Sequence, residues 1–199
     1  MRRINEDLKV ESRGKDLEGK SIALCITGGI AAIETPKIAR QLRRYGAEVY
    51  PYATPSALKF IGETSLEWAT EKKVTHELSG LAEHICIEDL VLIVPTTLNT
   101  YNKIVLGIAD NIVTSLVASA LGMKKPVYVV PTMHESLYNN PIFRENLAKA
   151  ERYGISIIEP RFSEGKAKIP SLNIIVNEVR EYFRNESLKK VPKTKNTQK

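Results

Sequence analysis

Two cysteines, Cys25 and Cys86, are all that this chain of 199 residues contains. That is too few for a disulfide framework, and neither stands in the paired spacing of zinc ligands. With three histidines in the whole chain, no cluster of His, Cys and Asp has a metal-binding pattern, so no metal is expected. No stretch approaches the roughly 20 apolar residues that a membrane-spanning helix requires, so no membrane partner is expected either. The opening segment, MRRINEDLKVESRGKDLEGK, is charged throughout and lacks the apolar core of a secretory signal. A reducing cytoplasm is the expected setting.

Aromatic residues are also scarce, which bears on the net charge of +6. Much of that surplus lies in the last segment, SLKKVPKTKNTQK, where Lys189, Lys190, Lys193, Lys195 and Lys199 cluster. A polar run of this kind reads as a solvated tail. No basic patch interleaved with aromatics occurs in the body, so a nucleic-acid partner is not expected. Residues 1–19 read as a charged extension, 20–185 as one domain, and 186–199 as a basic disordered tail or linker.

Apolar runs and turn residues alternate along the domain. The runs 21–27, 48–52, 90–94, 127–130 and 155–158 read as strands. Residues 31–45, 54–61, 102–121, 141–153 and 172–183 read as helices. No internal repeat is visible. Strands alternating with helices define βαβ units, hence an α/β fold with a doubly wound parallel sheet in three layers.

Two strand ends carry polar groups. The run Leu90–Val94 is followed by Pro95-Thr96-Thr97-Leu98-Asn99-Thr100, and Val127–Val130 by Pro131-Thr132-Met133-His134. In such a sheet, ligands bind at the carboxyl edge of the strands, so these two edges predict one site lined from two sides. The first strand ends in Gly28-Gly29-Ile30, a turn of minimal side chains opening onto a helix, suited to an anion. It is neither G-x-G-x-x-G nor a Walker A loop. Thr54, after the second strand, reads equally as a second phosphate ligand or as a helix cap.

Three segments in this order, ITGGIAAIETPKIARQLRRYGAEV (26–49), PTTLNT (95–100) with GIADNI (107–112), and VVPTMHESLY (129–138), resemble the flavin-containing cysteine decarboxylase family. Within it the likeness is to the branch that serves coenzyme A biosynthesis. It spans roughly residues 20–185 and is nearest to the decarboxylase half of archaeal bifunctional proteins, which carry similar IAAIETPK, MHE and EGKAK strings.

The resemblance implies a flavodoxin-like fold, FMN as cofactor, and a homo-oligomer, a trimer or dodecamer, with the flavin near subunit interfaces. The implied reaction is decarboxylation of a small phosphorylated substrate, 4′-phospho-N-pantothenoylcysteine, to 4′-phosphopantetheine. A phosphopantothenate–cysteine ligase, as a further domain or a separate partner, is the implied companion. Gly28, Gly29 and Ile30, with Thr54, would hold the FMN phosphate. Pro95, Thr96, Thr97, Asn99 and Thr100 would line the rest of the flavin, and Met133 its ring edge. His84, in Ala82-Glu83-His84-Ile85, matches the family's catalytic histidine, a residue type suited to moving protons near neutrality.

The chain departs from the family in four places. His84 stands only eleven residues before Pro95. His134 stands where the family has an asparagine for the substrate carboxylate, so His134, Asn99 and Met133 are the substrate-binding expectations. The late Gly-Cys-Gly segment, whose cysteine donates a proton, is replaced by Glu164-Gly165-Lys166-Ala167-Lys168, which makes Lys166 or Lys168 the candidate acid. Leu137-Tyr138 stands in place of a Met-Trp pair, and Cys25 and Cys86 are expected to be packing residues. A flavin prenyltransferase and an electron-carrying flavoprotein without decarboxylase activity remain the alternatives. The first is disfavoured, since no arginine follows Thr132-Met133.

Overall fold

The structure, a computed structural model, describes residues 6–190; residues 191–199 of the expected basic tail lie outside them. Strands β1 (Ser21–Ile26), β2 (Glu48–Ala53), β3 (Leu90–Thr96), β4 (Val127–Pro131) and β6 (Ile155–Ile157) form a parallel sheet of order β2-β1-β3-β4-β6. This is the flavodoxin-like doubly wound order, and its direction reverses between β1 and β3. β1 pairs with β2 from Ser21↔Glu48 to Ile26↔Ala53, and with β3 from Ile22↔Leu90 to Cys25↔Ile93.

Helices cover both faces because alternate residues of each strand point to opposite sides. Ile22, Leu24, Ile26, Leu90, Leu92 and Val94 pack with Ile38 and Leu42 of α1 (Thr35–Arg43), Leu66 of α2 (Glu63–Thr70), and Ile175 and Val179 of α7 (Leu172–Lys190). Ala23, Cys25, Val91, Ile93, Val127 and Val129 face the other core. There they meet Tyr101 and Ile104 of α3 (Leu98–Val105), Val113, Leu116 and Val117 of α4 (Ile112–Gly122), and Phe143 of α6 (Pro141–Arg152).

Four expectations are corrected. The helix expected over 31–45 divides into a 3-10 turn, Ile30–Glu34, and α1. Pro36 sits in the first turn of α1, where its missing N–H costs nothing, but it cannot extend a helix arriving from the N-terminal side. The helix expected over 102–121 is likewise two, α3 and α4. Gly107, at φ 72°, closes α3 in the left-handed region. Asn111 then starts α4 with a capping box, its Oδ1 accepting the N–H groups of Val113 and Thr114.

The short helix expected over 54–61 shrinks to one 3-10 turn, Ala57–Lys59. Finally, α7 continues past Phe183 to Lys190, so the start of the expected tail is helical.

The charged extension is also part of the body where it is described. Leu17 is fully buried in the first core. Its N–H donates to Tyr45 O at 2.9 Å, and Asp16 is clamped by Arg180 and Arg184 of α7. Among the described residues no helix is long and apolar enough to cross a membrane.

Candidate functional site

At the carboxyl ends of β1 and β3 the chain turns sharply twice. Gly28 lies so near the loop after β2 that a Cβ there would stand 2.6 Å from Ser56 Oγ and 2.7 Å from Ser56 Cβ. Gly29 has φ 155° and ψ 156°, a conformation essentially confined to glycine. The turn after β3 is tied to the turn after β1 by Thr27. Its hydroxyl donates to Pro95 O at 2.8 Å, and its Oγ1 accepts the Thr97 N–H at 3.0 Å. Thr97 caps α3 through Thr100 N–H.

The second edge continues from β4 into a three-stranded antiparallel sheet of order β5-β8-β7 (Met133–His134, Lys166–Lys168 and Arg161–Ser163). β7 and β8 form a hairpin whose two turn residues, Glu164 (φ 53°) and Gly165 (φ 65°), are both left-handed, the geometry of a tight two-residue turn. Alternation gives the hairpin two faces. Phe162 and its cross-strand neighbour Ala167 share one face: Ala167 is buried in the second core, and Phe162, half exposed, meets Tyr138 edge to face at 4.9 Å. Arg161, Lys166 and Lys168 belong to the polar face.

Between the two edges lies a cavity of about 690 Å³. The turns after β1 and β3 contribute Gly29, Ile30, Pro95 and Thr97 to its lining, and the second edge contributes Met133, His134 and the hairpin residues Arg161, Lys166 and Lys168. Ile33, Ile169 and Leu172 give it apolar walls, and Glu34 is its one lining carboxylate among the described residues.

His134 caps the short helix α5 (Glu135–Tyr138): its Nδ1 accepts the Ser136 N–H at 3.2 Å. A backbone N–H can only donate, so the neutral ring carries its hydrogen on Nε2, which is left as a donor. Lys168 is ion-paired with Glu164. That hydrogen bond, with Lys166 and Arg161 at longer range, holds the Glu164 carboxyl below its ordinary range.

The expected site residues thus divide. Gly29, Ile30, Pro95, Thr97, Met133, His134, Lys166 and Lys168 meet around one cavity, with Gly28 forming the turn behind it. Thr54 and Thr96 are buried, and their hydroxyls are engaged internally. Thr54 Oγ1 accepts the Ala57 N–H, and Thr96 Oγ1 donates to Ile93 O. Thr100 is buried beneath Thr97, while Asn99 is exposed on the first turn of α3; neither lines the cavity. His84 also lies outside it, exposed in the turn before β3 beside the exposed side chains of Leu81, Ile85 and Ile87.

Sequence reasoning missed Thr27 and Arg161. The run Arg161-Phe162-Ser163-Glu164-Gly165-Lys166-Ala167-Lys168 does carry the signal for the last: alternating polarity around a two-residue turn ending in glycine.

The cysteines are packing residues. Both lie in the second core. Burial pushes the Cys25 thiol well above its usual range, and burial together with the Glu88 carboxylate raises Cys86 to about 11. Glu88 is itself buried and accepts the Tyr52 hydroxyl at 2.7 Å. An aromatic-disulfide thiol reagent at pH 8 is therefore expected to titrate neither cysteine in the folded protein and both in guanidinium. Prompt reaction of either thiol in the native state would contradict this packing.

A doubly wound parallel sheet with a glycine turn and a cavity at its switch point defines an α/β protein built to hold a ligand with an anionic end. The profile of the Flavoprotein family matches residues 10–184. The chain belongs to that family. It is 43% identical over 182 residues to the coenzyme A biosynthesis bifunctional protein CoaBC of Methanocaldococcus jannaschii, covering 90% of this chain but only 44% of that protein. It is 31% identical to a probable phosphopantothenoylcysteine decarboxylase of Streptococcus mutans, across 81% of this chain and 98% of the relative. Among solved structures it matches TvaF, an FMN-dependent cysteine decarboxylase from thioviridamide biosynthesis. There the TM-score is 0.65 at 29% identity, covering 71% of this chain and 91% of that one. The chain thus spans less than half the length of the bifunctional archaeal relative.

Proposed function

We propose that this chain binds FMN in the cavity at the switch point and decarboxylates 4′-phospho-N-pantothenoylcysteine to 4′-phosphopantetheine. The observation that carries the proposal is the pairing of the Gly28-Gly29 turn with an apolar-walled cavity of about 690 Å³. A Cβ at position 28 would collide with Ser56, so only glycine lets the turn sit this close to the loop after β2, while Ile30, Ile33, Met133 and Leu172 offer surface for a flat ring. The donor set therefore suits a cofactor with a phosphate at one end and an aromatic system at the other. Bound FMN supplies a two-electron acceptor and donor.

The chain's own groups divide the remaining work. Gly28, Gly29 and Ile30 bring backbone N–H groups to the phosphate, and Pro95 and Thr97 flank the cofactor. Met133 and His134 receive the substrate, the Nε2–H of His134 donating to its carboxylate in the place of an amide side chain. Lys166 lines the cavity, and among the described residues no carboxylate forms an ion pair with it. It is the better placed of the two lysines to supply a proton, since Lys168 is held by Glu164. Asn99 and His84, exposed and outside the cavity of their own protomer, act across an interface between copies of the chain. Exposed Leu81, Ile85 and Ile87 beside His84 supply the apolar surface for that contact. A ligase activity on a further domain or a separate chain supplies the substrate, as the bifunctional relatives suggest, and the reaction runs in the cytoplasm.

The test joins a spectrum to an assay. The purified protein is expected to show oxidised-flavin absorption, to release FMN on denaturation, and to liberate CO2 from 4′-phospho-N-pantothenoylcysteine. A protein that takes up no FMN overturns the cofactor assignment. One that binds FMN and releases no CO2 overturns the decarboxylase.

A further inference from the structure

We infer that Arg161, with Lys168 opposite it on the β7–β8 hairpin, is the anion anchor that selects phosphorylated over unphosphorylated substrate; this rests on the decarboxylase reading above. The charged groups lining the cavity are unbalanced: Arg161, Lys166 and Lys168 face a single carboxylate, Glu34, among the described residues. Glu34 is already neutralised by Lys37 at 2.9 Å. The surplus is carried by the β7–β8 hairpin, a different element from the glycine turn after β1, so the cavity offers a second group of residues for an anion besides Gly28-Gly29.

The hairpin register puts Arg161 directly across from Lys168, bringing two cations together on one face. That register is pinned from behind by Ala167, buried in the second core, and by the ring contact of the half-exposed Phe162 with Tyr138. A one-residue slip would exchange the faces and turn the arginine away from Lys168 and the cavity.

Arg161 differs from Lys166 in what it can do. A guanidinium does not give up its proton in water, so it is unfit as the acid, but its planar fork matches phosphate in a bidentate manner. Among the described residues no carboxylate forms an ion pair with it, whereas Lys168 is held by Glu164. Glu164 sits at the turn, exposed, where an arriving phosphate dianion competes with it for the same ammonium. The substrate carries two anionic groups. His134 takes the carboxylate, the hairpin takes the phosphate, and Lys166 between them remains the proton source.

The experiment compares affinities of the flavin-loaded protein for 4′-phosphopantetheine and pantetheine by titration calorimetry. Alongside it runs the ratio of kcat/KM for the phosphorylated and unphosphorylated cysteine substrates. Charge-assisted hydrogen bonds of this kind correspond to about 10- to 100-fold in affinity. Arg161→Ala is expected to reduce both preferences for the phosphorylated member by about that factor, and Arg161→Lys to restore part of it. Glu164→Gln, which frees Lys168, is expected to increase the preference.

An Arg161→Ala protein that weakens both members of each pair equally shows a structural role and overturns the inference, as does an unchanged ratio. If the parent binds FMN yet neither releases CO2 nor distinguishes the two pantetheines, the decarboxylase reading falls and the inference with it. Phosphate preference in a parent without turnover keeps the anchor and removes only the reaction.

Discussion

Replacing His84 by asparagine is expected to lower kcat by about 10²- to 10⁴-fold, the usual contribution of a positioned acid–base group, while FMN uptake stays at the parental level. The expectation follows from where the residue is. His84 is exposed in a turn whose backbone is closed by Ile85 N–H to Ala82 O at 2.9 Å, with Ala82 itself at φ 61°. It touches neither the glycine turn nor the hairpin, so its loss removes nothing that holds the cofactor.

The same placement makes a second, sharper demand. An imidazole outside the cavity of its own chain contributes only if another copy receives it. A mixed assembly of His84→Asn protomers with protomers disabled at Gly29 should therefore regain turnover that neither parent shows. Undiminished CO2 release from His84→Asn would remove this residue from the reaction. Loss of activity without recovery in the mixture would place His84 in its own protomer's site.

The fold was legible where burial on both faces leaves a continuous apolar run. Ile22–Ile26, Leu90–Val94 and Val127–Val130 are the centre of the sheet, and the βαβ alternation around them admits essentially one handedness. What was not legible has local causes. Pro36 and Gly107 each interrupt an apolar periodicity that runs on beyond them, so the pattern alone joined segments that the backbone separates. Helix α2 was passed over because Glu63-Thr64-Ser65-Leu66-Glu67-Trp68 shows mostly polar residues. Only Leu66 and Ala69, with Thr70 at its end, are buried.

Leu17 was overlooked because one apolar residue among charges carries no periodicity, yet it fills the first core. In the site, polar residues after a strand were read together as ligands. The structure separates them by orientation: Thr97 faces the cavity, while Thr96 turns inward to Ile93 O. One residue of register decides between a wall of the site and a prop behind it. The hairpin is absent from the strands read in the sequence, where residues 164–168 count only as a source of candidate acids, although its period of two and its glycine turn are present there.

The turn after β1 is the other place where a single change should matter most. Gly28→Ala puts a methyl group 2.6 Å from Ser56 Oγ, 2.7 Å from Ser56 Cβ and 3.1 Å from the Ser56 carbonyl carbon. Relief by moving Ser56 is opposed by its neighbours: Thr54 Oγ1 lies 3.0 Å from Ser56 Oγ, and both Thr54 oxygens accept the Ala57 N–H. The β1 turn is the part that has to shift, and with it the backbone offered to the FMN phosphate. Overpacking of this kind costs about 1–3 kcal/mol, which corresponds to about 10- to 100-fold in FMN affinity if the strain appears only when the turn is in its cofactor-holding form.

Adding Ser56→Gly removes the two nearest contacts and leaves the Ser56 backbone carbon at 3.1 Å as the next one, a distance that a small displacement accommodates. The double variant is therefore expected to recover most of the lost affinity, read by titrating flavin fluorescence against the flavin-free protein. If the strain is instead carried by the folded chain as a whole, the thermal midpoint of the flavin-free form falls and FMN affinity does not. An affinity unchanged in Gly28→Ala would mean that the anion is held elsewhere, and the glycine turn would be only a tight connection between β1 and the helix that follows.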